Sequence, residues 1–318
     1  MTVGIPPVRS RVVTATPRSA AQRGSRSDPP ALRQHGGAPQ HLLMTLYADY
    51  WLSTGGRASS AALVRLLAEF GISESSSRAA LGRLSRRGMV TVHRNGRRTF
   101  YGVEGAAAAT LGDSVRRVLS FGAVSRPWDG RWTTVAFSVP EEQREVRHRL
   151  RTRLRWLGFA PVFDGFWISP TAPADDALRE LEALGVTSAA VLRTDGPVAG
   201  RPLTGAWDLD EVRGLYEGFV DTAAPLAERV RAGGVTAAEA LVSRTRVMDE
   251  WRTFRWKDPD LPHELLPADW PRDTARALFA EVYDGLGPLA EHRVRQIVLE
   301  LAPDDVDLVR HHTTRRMP

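Results

Sequence analysis

The sequence predicts an α+β protein built from several domains. Its 318 residues are enough for two or three hydrophobic cores. Two segments, 39–120 and 127–200, combine helical apolar periodicity with a two-residue hairpin signal, Asn95-Gly96 in the first and Asp164-Gly165 in the second. A third segment, 205–300, shows helical periodicity alone. We therefore expect two mixed domains followed by a helical one.

The composition is that of a globular protein, with 42% hydrophobic and 25% charged residues. No stretch approaches the roughly 18 to 20 uncharged apolar residues of a membrane-spanning helix, so we expect no membrane partner. The absence of cysteine excludes disulfides, thiolate metal sites, iron–sulfur clusters and cysteine nucleophiles. These features predict a cytoplasmic protein.

Positive charge is concentrated at the N-terminal end. The net charge is +5 over residues 1–37, +5 over 38–104, +2 over 105–204 and −6 over 205–318. Residues 1–38 are rich in Pro, Gly, Ser and Arg without apolar periodicity, which predicts a disordered tail. An organellar transit peptide or a misassigned start codon are the alternatives for that segment. The basic N-terminal end indicates a polyanionic partner there.

Three helices are predicted between residues 41 and 87. Ser59 or Ser60 caps the second helix and Ser73 caps the third, while Gly71 and Gly88 end them. Apolar residues at helical spacing mark the buried faces: Leu42, Leu43, Leu46, Tyr47, Tyr50 and Trp51 in the first helix, Leu63, Leu66, Leu67 and Phe70 in the second, and Ala80, Leu81 and Leu84 in the third.

A hairpin follows the third helix. Residues 89–94 and 97–103 have strand composition and flank the Asn95-Gly96 signal. Three helices and a hairpin in this order predict a winged helix-turn-helix, whose third helix enters a DNA major groove while the hairpin, or wing, contacts the flanking backbone. A two-residue turn would place Arg94 opposite Arg97, and a DNA phosphate would relieve the repulsion between them.

The polar residues of this segment are the candidate DNA contacts. They are Ser75, Ser76, Arg78, Arg83 and Arg86 on the third helix and Arg94, Arg97 and Arg98 on the wing. Arginine forms bidentate hydrogen bonds with guanine edges and ion pairs with phosphates, so both roles are open to these side chains. The alternative is an ordinary solvated helix face, on a winged helix that serves only protein contacts.

The middle segment predicts a ferredoxin-like domain, because its elements follow the order β-α-β-β-α-β. The predicted strands are residues 131–139, 159–163, 166–169 and about 188–193, and the helices are about 141–157 and the stretch carrying Leu178, Leu181 and Leu184. A metal-dependent nuclease built on this domain is the enzymatic alternative. Such an enzyme would need a carboxylate at the end of the first strand, where this chain has Ser138-Val139-Pro140.

The sequence offers no other catalytic signature. It lacks the His-Glu-x-x-His, phosphate-loop, Gly-x-Ser-x-Gly and dinucleotide motifs, and its eight histidines are scattered. We therefore predict a protein that is not an enzyme, with no catalytic residue, no cofactor and no metal.

The C-terminal segment predicts helices around a proline-rich loop. Thr236 and Glu239 form a capping box, and residues 257–271 carry four prolines. Two further helices are expected, one with Leu278, Phe279, Val282 and Leu286 and the next with Leu289, Val294 and Ile297, before a tail at 301–318. The candidate effector-binding residues near the loop are Arg246, Trp251, Arg252, Trp256, His263 and Trp270. The alternative for these six is a packing core with a cation–π contact.

Several stretches resemble the PaaX family of phenylacetate-catabolism repressors. They are LLMTLYADYWLSTGG and GISESSSRAALGRLSRRGMVTVHRNGRRTFYGV near the N-terminus, WTTVAFSVPEEQR and LRWLGFAPVFDGFWISP in the middle, and DEWRTFRWKDPDLPHELLPADWP near the C-terminus. The resemblance runs from about residue 41 to about residue 300. It implies a homodimeric repressor that binds a palindromic double-stranded operator and is released by an aryl-acetyl coenzyme A thioester. An activator, or a regulator of several promoters with another effector, is the alternative.

Overall fold

The computed structural model describes residues 39–123, 127–197 and 200–317, and all of them belong to one compact unit of the chain. The disordered tail predicted at 1–38 lies outside the described residues. The helices are α1 (Pro39–Tyr50), α2 (Ser60–Ala68), α3 (Glu74–Arg86), α4 (Gly105–Ser120), α5 (Arg144–Trp156), α6 (Ala174–Ala183), α7 (Leu209–Arg231), α8 (Ala237–Lys257) and α9 (Arg272–Leu301). The strands are β1 (Arg57–Ser59), β2 (Thr91–Asn95), β3 (Arg98–Gly102), β4 (Trp132–Phe137), β5 (Ala160–Phe163), β6 (Phe166–Ser169) and β7 (Ala189–Thr194).

The N-terminal module, residues 39–103, packs three helices beside a sheet of strand order β1-β3-β2. Its helix caps are the predicted ones. The Ser59 hydroxyl accepts a hydrogen bond from the Ala62 N–H at 3.1 Å, and the Ser73 hydroxyl accepts one from the Ser76 N–H at 3.3 Å. Strand β1 has no counterpart in the sequence-based prediction, because three residues carry too little periodicity. It pairs antiparallel with β3 and forms one edge of the sheet.

The hairpin register differs from the predicted one. Gly96 and Arg97 form the turn, Asn95 pairs with Arg98, and Arg94 pairs with Thr99. Gly96 has a φ of 58°, and a glycine in the first central position of the turn moves the pairing by one residue. The predicted pairing of Arg94 with Arg97 is therefore wrong, and so is the repulsion inferred from it.

Helix α4 follows the hairpin in the part of segment 39–120 where the sequence predicts only a linker. Its N-terminal half is a run of alanines that does not distinguish a buried face from an exposed one, and only its second half has apolar residues at helical spacing. One face of its second half is buried and joins the core: Leu111, Val115, Val118 and Leu119.

The central module, residues 132–194, is a ferredoxin-like α+β sandwich. Its four strands run antiparallel in the order β5-β6-β4-β7, and helices α5 and α6 connect them as predicted. The module has a core of its own, built on Val135, Leu150, Leu154, Phe159 and Trp167. Leu178, one of the three leucines that mark the second helix in the sequence, lies on the surface instead.

The C-terminal module, residues 203–317, is built on three long helices. Trp251 of α8 is fully buried, and its ring stacks on Phe279 of α9 with centroids 4.7 Å apart. Helix α9 runs unbroken from Arg272 to Leu301, so the prediction of two helices there is wrong. Pro288 lies inside it and removes the N–H that would bond the carbonyl of Asp284, but packing on α7 and α8 keeps the helix continuous.

The segment predicted as a C-terminal tail packs onto the protein as far as the described residues extend. It contains a 3-10 helix, Pro303–Leu308, and the side chains of Val309 and His312 are buried. A methyl group on Gly287 of α9 would lie 2.5 Å from Cδ2 of His311, so the segment approaches α9 closely because that position is a glycine.

The N-terminal and C-terminal modules share one hydrophobic core. Leu46 and Leu81 of the first belong to the same buried cluster as Trp251 and Phe279 of the second. Sequence periodicity shows which face of a helix is apolar but not which neighbour covers it. The sharing is therefore a finding of the structure.

Candidate nucleic-acid interface

The first half of α3 presents an ordered polar surface. Ser77, Ala80, Leu81 and Leu84 are buried, so the side chains on the other side of the helix face solvent. Among these, Ser75 and Ser76 are tied to the helix cap, with their hydroxyl oxygens 3.2 and 3.0 Å from the Ser73 hydroxyl. Arg78 donates from Nε to Glu74 Oε1 at 2.8 Å, one turn earlier. This arginine is held in a salt bridge that a base contact would have to replace.

The second half of α3 differs because its arginines have no carboxylate partner among the described residues. Arg86 is exposed, with its guanidinium folded back near Gly82, and Arg83 is half-buried. Arg87, the residue that ends the helix, donates to the Gln40 side chain of α1 at 3.3 Å. Arg87 is not among the predicted contacts, although it continues the same basic row.

The wing carries Arg94, Arg97 and Arg98, all exposed. In the part of the chain that the structure covers, no carboxylate lies within ion-pair distance of them. Arg94 and Arg98 point to opposite faces of the sheet, because they pair with neighbouring residues Thr99 and Asn95. Arg57 on β1 extends the basic surface, and its guanidinium lies 5.4 Å from the ring centre of Phe100. The sequence does not predict Arg57 as part of this surface, because it does not predict strand β1.

Polar contacts hold the N-terminal module together and join it to the C-terminal module. The Tyr47 hydroxyl of α1 donates to the carbonyl of Tyr101 in β3. Arg293 of α9 donates to Glu69, just after α2, at 2.8 Å. The basic surface is therefore held by α1 on one side and by α9 on the other.

A buried polar network lies where α1, α8 and α9 meet. The Asp49 carboxylate accepts from Arg244 Nη1 at 2.9 Å and from the Tyr283 hydroxyl at 2.7 Å. Arg244 also donates to the His312 carbonyl at 2.7 Å, and the His312 ring lies 3.0 Å from the same tyrosine hydroxyl. Removing one partner of such a buried pair costs about 3 to 5 kcal/mol, because the other charge is left uncompensated. None of these four residues stands out in the sequence.

The six candidate effector residues do not come together on one surface. Trp251 is core, with Nε1 donating to the Val118 carbonyl at 3.2 Å. Trp270 is also buried, and it lies beneath the Arg213 guanidinium at 5.3 Å. These two tryptophans sit within 6.5 Å of Tyr216, between ring centroids, and so occupy one aromatic cluster.

The other four point elsewhere. Arg252 faces the N-terminal module, donating to Asp249 at 3.0 Å and lying 3.5 Å from the Thr45 hydroxyl. Trp256 is 53% exposed and meets Trp156 of the central module edge to face at 5.8 Å. His263 lies 3.2 Å from Asp273, and Arg246 is exposed on α8.

Comparison with known families covers most of the chain. A model of the PaaX-like protein matches residues 38–106, the model of the PaaX protein central Cas2-like domain matches 125–202, and the PaaX-like C-terminal domain matches 207–296. The chain belongs to the PaaX family. The resemblance stated from the sequence is thereby confirmed.

Two relatives of this PaaX-family chain are informative. The transcriptional repressor PaaX of Escherichia coli strain K12 is 27% identical over 258 residues, which is 78% of this chain and 80% of the repressor. A solved structure of an uncharacterised protein of Mycobacterium tuberculosis, Rv0674, is similar with a TM-score of 0.50 and 21% identity, covering 82% of this chain and 98% of that one. The second likeness supports the fold only.

Membership of the PaaX family decides between regulator and enzyme. The curated relative is a transcriptional repressor, and the prediction that this chain is not an enzyme is confirmed by that relationship. Across the residues that the structure describes, no three His, Asp or Glu side chains are grouped as metal ligands would be. No helix in the same ranges combines the length and apolar character that crossing a bilayer requires.

Proposed function

We propose that this PaaX-family protein is a sequence-specific DNA-binding transcriptional repressor that acts in the cytoplasm. The N-terminal module serves as a winged helix-turn-helix, with α3 in the major groove and the β2–β3 hairpin on the flanking phosphates. The observation that carries the proposal is the row of arginines on α3 and the wing that lack carboxylate partners among the described residues: Arg83, Arg86, Arg94, Arg97 and Arg98. Exposed cations without carboxylate partners attract a polyanion.

The candidate DNA contacts on α3 and on the wing have different roles in this proposal. Arg78, Arg83 and Arg86 project from α3 and read base edges, together with the hydroxyls of Ser75 and Ser76. Arg94, Arg97 and Arg98 contact phosphates and fix the register of the protein on the duplex. The first role gives sequence specificity, and the second gives affinity for any duplex.

A homodimer is part of the proposal. One α3 spans only a few base pairs, and a two-fold pair of such helices reads two half-sites about 34 Å apart, one turn of the duplex. The name of the Escherichia coli relative supports repression as the outcome of binding. An activator working through the same surface is the second candidate.

The proposed effector is an aryl-acetyl coenzyme A thioester such as phenylacetyl-coenzyme A. Of the six candidate residues, Trp256, His263 and Arg246 are accessible, and Trp256 sits where the central and C-terminal modules meet. The Arg255 guanidinium lies 5.9 Å from the ring centre of Trp256, and an aromatic ring beside an arginine suits a ligand with an apolar acyl end and several phosphates. A regulator with a different effector would use the same DNA surface.

Selection from a random duplex library tests the proposal. The wild-type protein should enrich one palindromic sequence, bind it as a dimer, and lose affinity steeply as salt is raised. The bound duplex should be recovered intact after incubation with Mg²⁺ or Mn²⁺. Failure to enrich any sequence, or cleavage of the duplex, would overturn the assignment as a repressor.

A further inference from the structure

The C-terminal 3-10 helix, Pro303–Leu308, lies against the wing sheet of the N-terminal module. The Thr54 hydroxyl donates to the Leu308 carbonyl at 2.8 Å, and the Arg310 N–H donates to the Tyr50 carbonyl at 2.9 Å. A methyl group on Gly56 would lie 3.1 Å from Cβ of Leu308, so these two segments of the chain are in close contact next to β1. These contacts fix the 3-10 helix beside the strand that carries Arg57.

This 3-10 helix is acidic. Asp307 is paired, because Arg295 Nη2 donates to its Oδ1 at 3.0 Å. Asp304 and Asp305 are different: they lie in the first turn of the 3-10 helix, and within the described part of the chain neither carboxylate has an ion pair or a side-chain hydrogen bond. Residues 297–318 also lie outside the three family matches, so the acidic 3-10 helix is not part of the region that the family models describe.

Asp305, on the 3-10 helix that packs beside β1, lies near the arginines of the wing sheet, and Asp304 precedes it in the chain. Partial burial raises the pKa of Asp305, the positive charges of Arg57 and Arg98 act against that rise, and the charge of Asp304 adds to it. Arg57 is on β1 and Arg98 on β3, and these adjacent strands place both residues on the face that also carries Phe100. The negative charge of Asp305 therefore acts on Arg98, one of the cations proposed to attract DNA, and on Arg57, which extends the same basic surface.

We propose that the acidic 3-10 helix is an attenuating edge of the DNA-binding surface, on which Asp304 and Asp305 offset the charges of Arg57 and Arg98 and lower the affinity for every duplex. This rests on the proposed DNA-binding function. Because phosphates carry no sequence information, the attenuation acts equally on operator and non-operator DNA. It keeps the total affinity low enough for an effector to release the repressor, and it leaves base reading by α3 unchanged.

A charge series at the two aspartates tests the proposal. The variants are Asp304→Asn with Asp305→Asn, and Asp304→Lys with Asp305→Lys. The matched control is Asp221→Asn with Glu228→Gln, which removes two exposed carboxylates from α7, a helix that packs on α8 and α9. The probes are the duplex that the wild type enriches from a random library and a scrambled duplex of equal length, with affinity measured by fluorescence anisotropy across a salt series.

The Asn variant should bind both duplexes about threefold to tenfold more tightly than wild type at low salt, and the Lys variant more tightly still. The factor should be the same for both duplexes and should shrink as salt screens the charges. The melting temperature of the Asn variant should match that of the wild type. If wild type binds DNA but the Asn variant behaves like the α7 control, or tightens only one duplex, the attenuation is disproved while the repressor assignment stands. If wild type binds no duplex, both fail.

Discussion

Single arginines on α3 differ in how free they are to read a base. Arg78 is held by Glu74, whereas Arg86 has no carboxylate partner among the described residues. A bidentate arginine–guanine contact is worth about 1 to 3 kcal/mol of discrimination. We expect Arg86→Ala to lower the ratio of operator to non-operator affinity by about tenfold or more, since its contact forms without breaking another. Arg78→Ala should lower the same ratio by less.

Competition between the selected and scrambled duplexes measures that ratio. Arg179→Ala is a suitable control, because Arg179 is exposed on α6 and its partner is Asp176 of the same helix. A uniform loss on both duplexes for Arg86→Ala would mean that α3 positions the protein without reading sequence.

His312 makes stability depend on pH. Burial lowers the pKa of His312 to about 4, and the nearby charges of Asp49 and Arg244 oppose each other in smaller effects. Between pH 6.5 and 4 the unfolded chain therefore binds a proton that the folded chain does not, so the free energy of unfolding falls as the pH falls. From pH 7 to pH 5 this one group should remove about 2 kcal/mol.

Urea unfolding of wild type and His312→Asn at both pH values isolates that contribution. His41, whose pKa burial lowers to about 3, adds a loss of the same sign, and Asp249, whose pKa burial raises to about 6, opposes it below pH 6. Both groups remain in the variant, so the difference between the two proteins reports His312. Equal pH dependence in wild type and variant would show that His312 does not stay neutral in the fold.

At the scale of one element, the wing should supply affinity rather than specificity. Arg97 lies in the turn and Arg98 begins β3, and both are exposed. Replacing both by Ala should weaken binding to every duplex and make the slope of log affinity against log salt shallower by up to about 1.8, since two phosphate contacts are lost. The paired substitutions Arg179→Ala and Arg231→Ala remove equal charge elsewhere and should leave the slope unchanged. A slope that stays the same in the wing variant would disprove the wing assignment.

Element types were predictable wherever local chemistry decides them. Ser59 and Ser73 cap their helices as expected, and all four strands of the central module lie within two residues of the predicted positions. Strand β1 exists only because β3 pairs with it, and no three-residue pattern carries that information. Helix α4 opens with a run of alanines, which does not distinguish a buried face from an exposed one.

Helix α9 shows how tertiary contacts override a local signal. Two helices are predicted here and Pro288 lies between them, yet α7 and α8 pack along a single helix and keep it continuous. Likewise, the six effector candidates are neighbours in sequence but not in space. Trp251 and Trp256 are five residues apart on α8, so one enters the core while the other reaches the central module.

On the scale of the whole molecule, the N-terminal module and the C-terminal module are one packed body. They share a core, and Asp49, Arg244, Tyr283 and His312 join α1 to α8, α9 and the last residues of the chain. The central module has a separate core. The proposed dimer could be held together through the central module. In that case, a change in how the central module packs against α8 would move the α3 helix of one subunit relative to the α3 helix of the other, without distorting either subunit.

This arrangement separates two variants that the sequence treats alike. Trp256 contacts Trp156 across the boundary between modules and is half exposed, so Trp256→Ala should leave operator binding nearly intact while raising the phenylacetyl-coenzyme A concentration needed for release. Arg252 instead bonds to Asp249 and approaches Thr45 inside the body that carries α3. Arg252→Ala should therefore lower the melting temperature and weaken operator binding without a selective change in effector response.

Titrating phenylacetyl-coenzyme A, with acetyl-coenzyme A in parallel, into preformed operator complexes of wild type and the two variants distinguishes these outcomes. Release of the Trp256→Ala complex at the wild-type concentration would remove Trp256 from the effector site, and failure of phenylacetyl-coenzyme A to release wild type at millimolar concentration would exclude this effector.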